Sequence, residues 1–302
     1  MNWQTYLESV VQTKRQGITH LDQMKPAEFV LFAKTILDQS KGVLKDISAT
    51  LKVDGFGARV GRDKEGKFFF ESSRSGPIQT KGAFSAFHKN KGTTDEIILH
   101  RATQYDTLYD ELESAKFMKV VPPNTKIVVE CLYNPLAVKQ GDQIKFASVK
   151  YDKSKVGSHM TLVLIDIITA EGLPHPKKER IWNDLLKQST PEIKITDAKL
   201  KSEDLDISGI IDPISALGKN ALEILASRKA VDRETKNSYN ELIQTVQERL
   251  AEFILQHPGI VGKTKFGSEI EGLVLDINGK LFKITTPAFR AGKRAEASQR
   301  KK

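Results

Sequence analysis

The hydrophobic pattern divides the chain into stretches of different period. Residues 1–45 repeat apolar positions at helical spacing, as in Phe29, Leu31, Phe32, Ile36 and Leu37 after the cap region "KPAEF", and predict a helical N-terminal segment. From residue 46 to about 170 the period shortens to that of strands: "ISATLKVDG", "FGARVGRD", "KFFFESSR", "TKIVVECLY", "QIKFASVKY" and "MTLVLIDII". The turn signals "KEGK", "VPPN" and "QGD" punctuate them, and the runs flanking "RDKEGK" predict a hairpin. One helix interrupts this region, from about Thr103 to Met118. Residues 171–265 change character again. After "GLPHPKKE" and the polar "KSEDLDIS", two apolar series follow at helical spacing: Ile214, Leu217, Ala221, Ile224 and Leu225, then Leu242, Val246, Leu250, Phe253 and Ile254. They predict a helical insertion at about 213–257. Strands return with "EIEGLVLDI" and "KLFKITT", joined by "NG" as a two-residue turn, and residues 291–302 form a basic tail. The expected class is α+β, with one strand-rich domain over 46–290.

Composition narrows the function. At 302 residues and 39% hydrophobic, the chain can bury a substantial core. A formal net charge of +9 favours an anionic partner, a nucleic acid or a phosphate-rich ligand. The single cysteine, Cys131, excludes an internal disulfide, and six dispersed histidines offer no structural zinc spacing. No run approaches the roughly 18 to 20 apolar residues of a membrane span, and the N-terminus lacks signal-peptide character. A cytoplasmic monomer with no membrane partner is the expectation.

The first strand of the second stretch ends in chemistry. "LKVDGFGAR" places Lys52, Asp54, Gly55 and Gly57 together, so that a lysine amine stands where glycines let a phosphate approach the backbone. A lysine amine is a nucleophile once deprotonated, and desolvation or a second cation lowers a lysine pKa toward neutrality. The pattern Lys-x-Asp-Gly alone occurs by chance about once in ten chains of this length. An ordered series follows it, however: "ESSRSGPI" with Glu71 and Arg74, "IVVECLY" with Glu130, "TLVLIDI" with Asp166, "EIEGLVL" with Glu271, and "LFKIT" with Lys283.

This order resembles the covalent nucleotidyltransferase superfamily, which comprises ATP- and NAD-dependent polynucleotide ligases and mRNA capping enzymes. The match covers 47–170 and 268–290. The resemblance implies an adenylation domain of antiparallel sheets flanked by helices, an ATP-grasp-like ligase core. It also implies that Lys52 attacks the α-phosphorus of ATP to form lysine-AMP, with Mg2+ (or Mn2+) as the metal. Lys283 would contact the α-phosphate, Glu271 would hold the metal, and Glu130 would bind the AMP ribose or a metal-bound water. Arg74 would pair with ribose or substrate phosphate, Asp54 would orient Lys52 or the metal, and Arg59 would contact the nucleotide. Glu71 and Asp166 are equally well read as strand-end charges, and Tyr133, Phe146 and Phe68 to Phe70 as core.

Departures from the family pattern bear on the branch. Val129 stands where many members have glycine, Ile165 where an aromatic residue stacks on adenine, and Thr285 where a second lysine is common. Asp54 resembles DNA ligases, whereas "SSRSGPI" and "FKITTPAFRAGK" also resemble phage RNA ligases that seal nicks in duplexes and carry histidine in that place. Only 19 residues follow Lys283, too few for a C-terminal oligonucleotide-binding barrel. The resulting expectation is a compact phage-type ATP-dependent ligase acting on nicks in duplex DNA and tolerating RNA strands. An RNA ligase is the alternative enzyme, a guanylyltransferase a lesser one, and a nick-binding protein on a decayed scaffold the non-enzymatic one.

Overall fold

A computed structural model describes residues 19–20, 47–72, 76–146, 149–199, 237, 241, 271–277, 280–286 and 289. The bulk of the expected N-terminal helices and of the 213–257 insertion, the "NG" turn, Arg74 and the basic tail lie outside the described residues. Two compact units emerge, one of residues 1–52 and 199–302, the other of Val53–Ala198.

In the first unit a four-stranded sheet has the order β1 (Thr19–His20), β12 (Lys280–Thr285), β11 (Gly272–Ile277), β2 (Ile47–Lys52). β11 pairs antiparallel with both neighbours, and β1 runs parallel to β12. Within the segment expected to be helical, Thr19 and His20 are therefore extended. Leu51, Leu273, Leu275, Phe282 and Ile284 are all buried, and their burial fixes the register.

In the second unit a five-stranded sheet has the order β10 (Ile193–Asp197), β9 (Met160–Ile168), β5 (Thr125–Tyr133), β3 (Phe56–Arg62), β4 (Phe68–Ser72). β5 and β9 coincide with the runs "TKIVVECLY" and "MTLVLIDII", and β3 and β4 form the expected hairpin. The central strands pair antiparallel with a bulge between Val128 and Val129, whereas β10, which the sequence pattern did not mark, runs parallel to β9. One face carries Ala58, Val60, Phe70, Ile127, Val129, Cys131 and Leu164 into a core closed by helices.

Those helices differ from the expected one. α1 (Ala83–Asn90) precedes α2 (Glu96–Ser114), which starts well before Thr103. Asp95 sets that start, its Oδ1 accepting the Ile98 N–H at 3.3 Å. Residues 116–120, which overlap the end of the expected helix and run past it, form a separate 3-10 turn. α2 buries Ala102, Leu108, Tyr109 and Leu112, spaced to share one face. α3 (Lys178–Leu186) buries Ile181, Trp182 and Leu185.

The run "QIKFASVKY" is two strands rather than one. β7 (Gln143–Phe146) and β8 (Val149–Asp152) pair antiparallel, and β6 (Val138–Gln140) completes a three-stranded sheet. The mixed α+β class holds; the sheets contain two parallel pairings besides the antiparallel ones.

Candidate functional site

β2 delivers Lys52 to its last position, opposite Gly272 on β11, which in turn lies opposite Thr285 on β12. Residues paired across strands and those two along share a face, so Lys52, Gly272, Thr285 and Lys283 lie on the same side. Gly272 has no side chain to stand between the lysines. Nor could it have one, since a Cβ there would fall 1.8 Å from the Ile284 carbonyl oxygen. The preceding residue, Glu271, is anchored by its carbonyl, which accepts the Thr286 N–H at 2.9 Å.

Glu271 thereby sits between two amines. Lys52 Nζ lies 3.2 Å from Oε2, and Lys283 Nζ contacts Oε1. The carboxylate side chain is 3% exposed, against 12% for Lys283 and 20% for Lys52. The Lys52 contact is an ion pair by distance only, for no hydrogen bond of good geometry reaches Oε2 among the described residues. Two ammonium groups thus share one carboxylate in a place largely shielded from water, where charges interact more strongly than at the surface. Lys283 Nζ also lies 5.8 Å from the ring centre of Phe289.

The second unit holds the other described candidates. The Asp54 N–H donates to the Tyr151 hydroxyl at 2.7 Å, and the Gly55 N–H donates to Glu130 Oε1 at 3.0 Å. Gly55 must lack a Cβ, which would meet the Cys131 carbonyl oxygen at 2.5 Å. On the sheet face opposite the core, Gly57 pairs with Glu130, and Arg59 pairs with Glu71 on one side and Val128 on the other. Arg59 Nη1 lies 3.2 Å from Glu71 Oε1, and Lys126 Nζ lies 2.9 Å from Oε2. A Cβ on Gly57 would stand 3.8 Å from Glu130 Oε2, in ordinary contact, so the glycine leaves open surface beside Arg59 and Glu130.

Lys126 and Tyr151 are participants that the motif reading missed. Lys126 shares the Glu130 face because it precedes it by four strand positions, and that much is a period-two inference available from sequence. Tyr151 follows only from the fold of the three-stranded sheet.

Ile165 is 51% exposed, whereas Tyr133 and Phe68 to Phe70 are buried. Asp166 pairs with Lys178 at 2.5 Å. Behind the sheet, Glu111 accepts the Tyr133 hydroxyl at 3.2 Å and lies 2.8 Å from His159 Nε2. Burial and then the Glu111 charge push the Tyr133 hydroxyl pKa up, and burial pushes the Cys131 thiol well above its ordinary value.

For a divalent ion, the buried Oε2 of Glu271 is an acceptor without a hydrogen bond, which fits a hard cation held by one carboxylate together with phosphate oxygens and water. No cluster of three or more His, Cys, Asp or Glu side chains suited to a metal occurs among the described residues. None of the helices among the described residues is long and apolar enough to cross a membrane. No protein-family model matches the chain, and no curated protein matches it.

Proposed function

We propose that the protein is an ATP-dependent polynucleotide ligase that seals 5′-phosphate/3′-hydroxyl nicks in duplex DNA and tolerates RNA strands. The observation that carries this reading is the placement of Lys52 and Lys283 on the buried Glu271 across Gly272. The two amines would receive the α-phosphate of ATP, which is consumed and is therefore a substrate. Lys52 Nζ attacks the α-phosphorus, a nitrogen–phosphorus bond forms, the bond to pyrophosphate breaks, and the amine loses a proton. Lys52 is the most exposed of the three side chains and can leave Glu271 at the least cost. Lys283 then faces the charge that develops on the phosphate oxygens. A 5′-phosphate oxygen next attacks the same phosphorus and releases Lys52, and a 3′-hydroxyl displaces AMP.

Mg2+ or Mn2+ would be held by Glu271 and would supply neutralisation of phosphate charge when bound, and Glu130 is assigned to the AMP ribose or a metal contact. Glu130 tethers the Gly55 backbone, which supports a role in shaping the nucleotide site just after the nucleophile. Arg74 is assigned to ribose or substrate phosphate, Arg59 to a nucleotide contact, and Asp54 to orienting the nucleophile or the metal.

The test incubates the protein with α-labelled ATP and magnesium, then follows label on the polypeptide in the unaltered chain and in Lys52→Ala. Acid-labile label is expected only on the unaltered chain, and equal labelling of both would end the assignment. Nicked duplexes with DNA or RNA on each side then define the preferred strand.

A further inference from the structure

We propose that a recess beside the three-stranded sheet of the second unit is a phosphate-binding site for the backbone of a nucleic-acid strand, separate from the residues that handle the nucleotide. Assigning the phosphate to a nucleic acid rests on the ligase reading; the preference for an anion does not. The recess has a volume of about 240 Å³ and is lined by Asn134, Lys139, Lys153, Val156, Gly157 and Ser158. Two ammonium groups and one hydroxyl are thus available, and among the described residues no carboxylate lines the recess.

Its floor is built to stay in place. Asn134 Nδ2 donates to the carbonyls of Gly157 at 3.0 Å and Ser158 at 2.7 Å. The Gly157 N–H donates to Thr161 Oγ1 at 2.8 Å, and the Ser158 N–H donates to the Pro191 carbonyl at 2.9 Å. A Cβ on Gly157 would fall 2.0 Å from the Met160 carbonyl oxygen, so only glycine permits this close passage. Lys153 is exposed and its Nζ donates to the Gly141 carbonyl, which holds the head group while an ammonium keeps two further donors. Lys139 is exposed as well.

The surroundings extend the same charge. Residues 138–155 contain five lysines against two aspartates, a density of positive charge well above that of the whole chain. Lys145 and Lys150 stand directly opposite one another on β7 and β8, on the sheet face opposite to that of Lys139. The recess is smaller than the roughly 300 to 1,000 Å³ of a typical ligand pocket, and so suits a single phosphate group better than a whole nucleotide. β8 also supplies Tyr151 to the Asp54 N–H, so the lysine-bearing sheet adjoins the loop that follows the proposed nucleophile.

The test measures binding of a labelled nicked duplex between 50 and 200 mM salt for the unaltered protein, Lys139→Gln/Lys153→Gln and Lys139→Arg/Lys153→Arg. Losing one phosphate contact lowers the steepness of log K against log salt by about 1, which corresponds to about tenfold weaker binding at 0.1 M. The glutamine variant is expected to show both changes, the arginine variant neither, and all three proteins the same lysine adenylation. Unchanged slope and affinity in the glutamine variant, or no duplex binding by the unaltered protein, overturns the site. So does a free-phosphate site, in which the glutamine variant loses thermal protection by inorganic phosphate yet keeps its duplex slope. A reduced slope in a protein that never adenylates would sink the ligase reading and leave this site standing; adenylation with an unchanged slope does the reverse.

Discussion

Replacing Glu271 by glutamine keeps the shape of the side chain and removes the one negative charge between Lys52 and Lys283. The Lys52 contact at 3.2 Å is worth about 5 kcal/mol of attraction at an effective dielectric constant of about 20. Desolvation of the buried carboxylate and the two largely buried amines offsets much of that attraction in the intact cluster. In the variant the amines lose the Glu271 counter-charge, and removing one partner of a buried pair costs about 3 kcal/mol. With a urea m-value of about 3 kcal/mol/M, the unfolding midpoint should fall by about 1 M at unchanged m. Exposure sets the order of effects: Glu271→Gln should cost most, Lys283→Met less and Lys52→Met least, following side-chain exposures of 3%, 12% and 20%. Combining Glu271→Gln with Lys283→Met should cost less than the two single losses added, because the second change removes a stranded charge. A midpoint shift below about 0.2 M for Glu271→Gln, or strict additivity of the pair, would refute the reasoning.

Two further outcomes follow from groups outside the cluster. Cys131 is fully buried with its thiol pKa raised by that burial, so a thiol reagent should leave the native protein unmodified and label one site per chain after denaturation; rapid native labelling would contradict the packing. His175 accepts the Lys177 N–H on Nδ1 at 3.1 Å, so its Nε2 carries the proton shared with Thr125 Oγ1 at 3.2 Å. Burial, and secondarily Lys177, lowers its pKa below the ordinary 6.5. The unfolded chain therefore takes up this proton first on acidification. The stabilising contribution is whole above about pH 6.5 and drains away as pH falls through the folded-state value. His175→Asn should flatten that part of the stability profile, and an unchanged pH slope in the variant would remove His175 as its source.

The sequence made the long central strands legible because period and burial agreed in them. β5 and β9 carry nine residues each of nearly continuous apolar character, and Gly-containing turn signals fixed the β3–β4 hairpin and the β11–β12 pair. Where local and tertiary causes separate, legibility ended. α1 starts where Asp106 of α2 accepts the N–H groups of Phe84 and Ser85 at 2.9 and 3.0 Å, a cap supplied from another helix that no local spacing announces. β10 owes its strand form to pairing alongside β9, and the reversal inside "QIKFASVKY" lacks any Gly, Pro or Asn to mark it. In the candidate site, motif order selected Lys52, Glu271 and Lys283, and these three converge. Motif order could not disclose that Glu71 is divided between Arg59 and Lys126, because that arrangement depends on strands brought side by side.

The pairing of β2 with β11 has a consequence for the order of events during synthesis. Thr50 Oγ1 donates to the Val274 carbonyl at 3.5 Å across 224 residues of chain. At about 5 to 20 residues per second, a ribosome needs roughly 10 to 45 s between making the two. Throughout that interval Lys52 has been made while its carboxylate and the second lysine have not. The second unit, wholly contained between these partners, has time to fold first. The first thing to finish in the chain is therefore scaffold, and the cluster around Glu271 is among the last, so a chain interrupted before residue 271 would carry the lysine without the site.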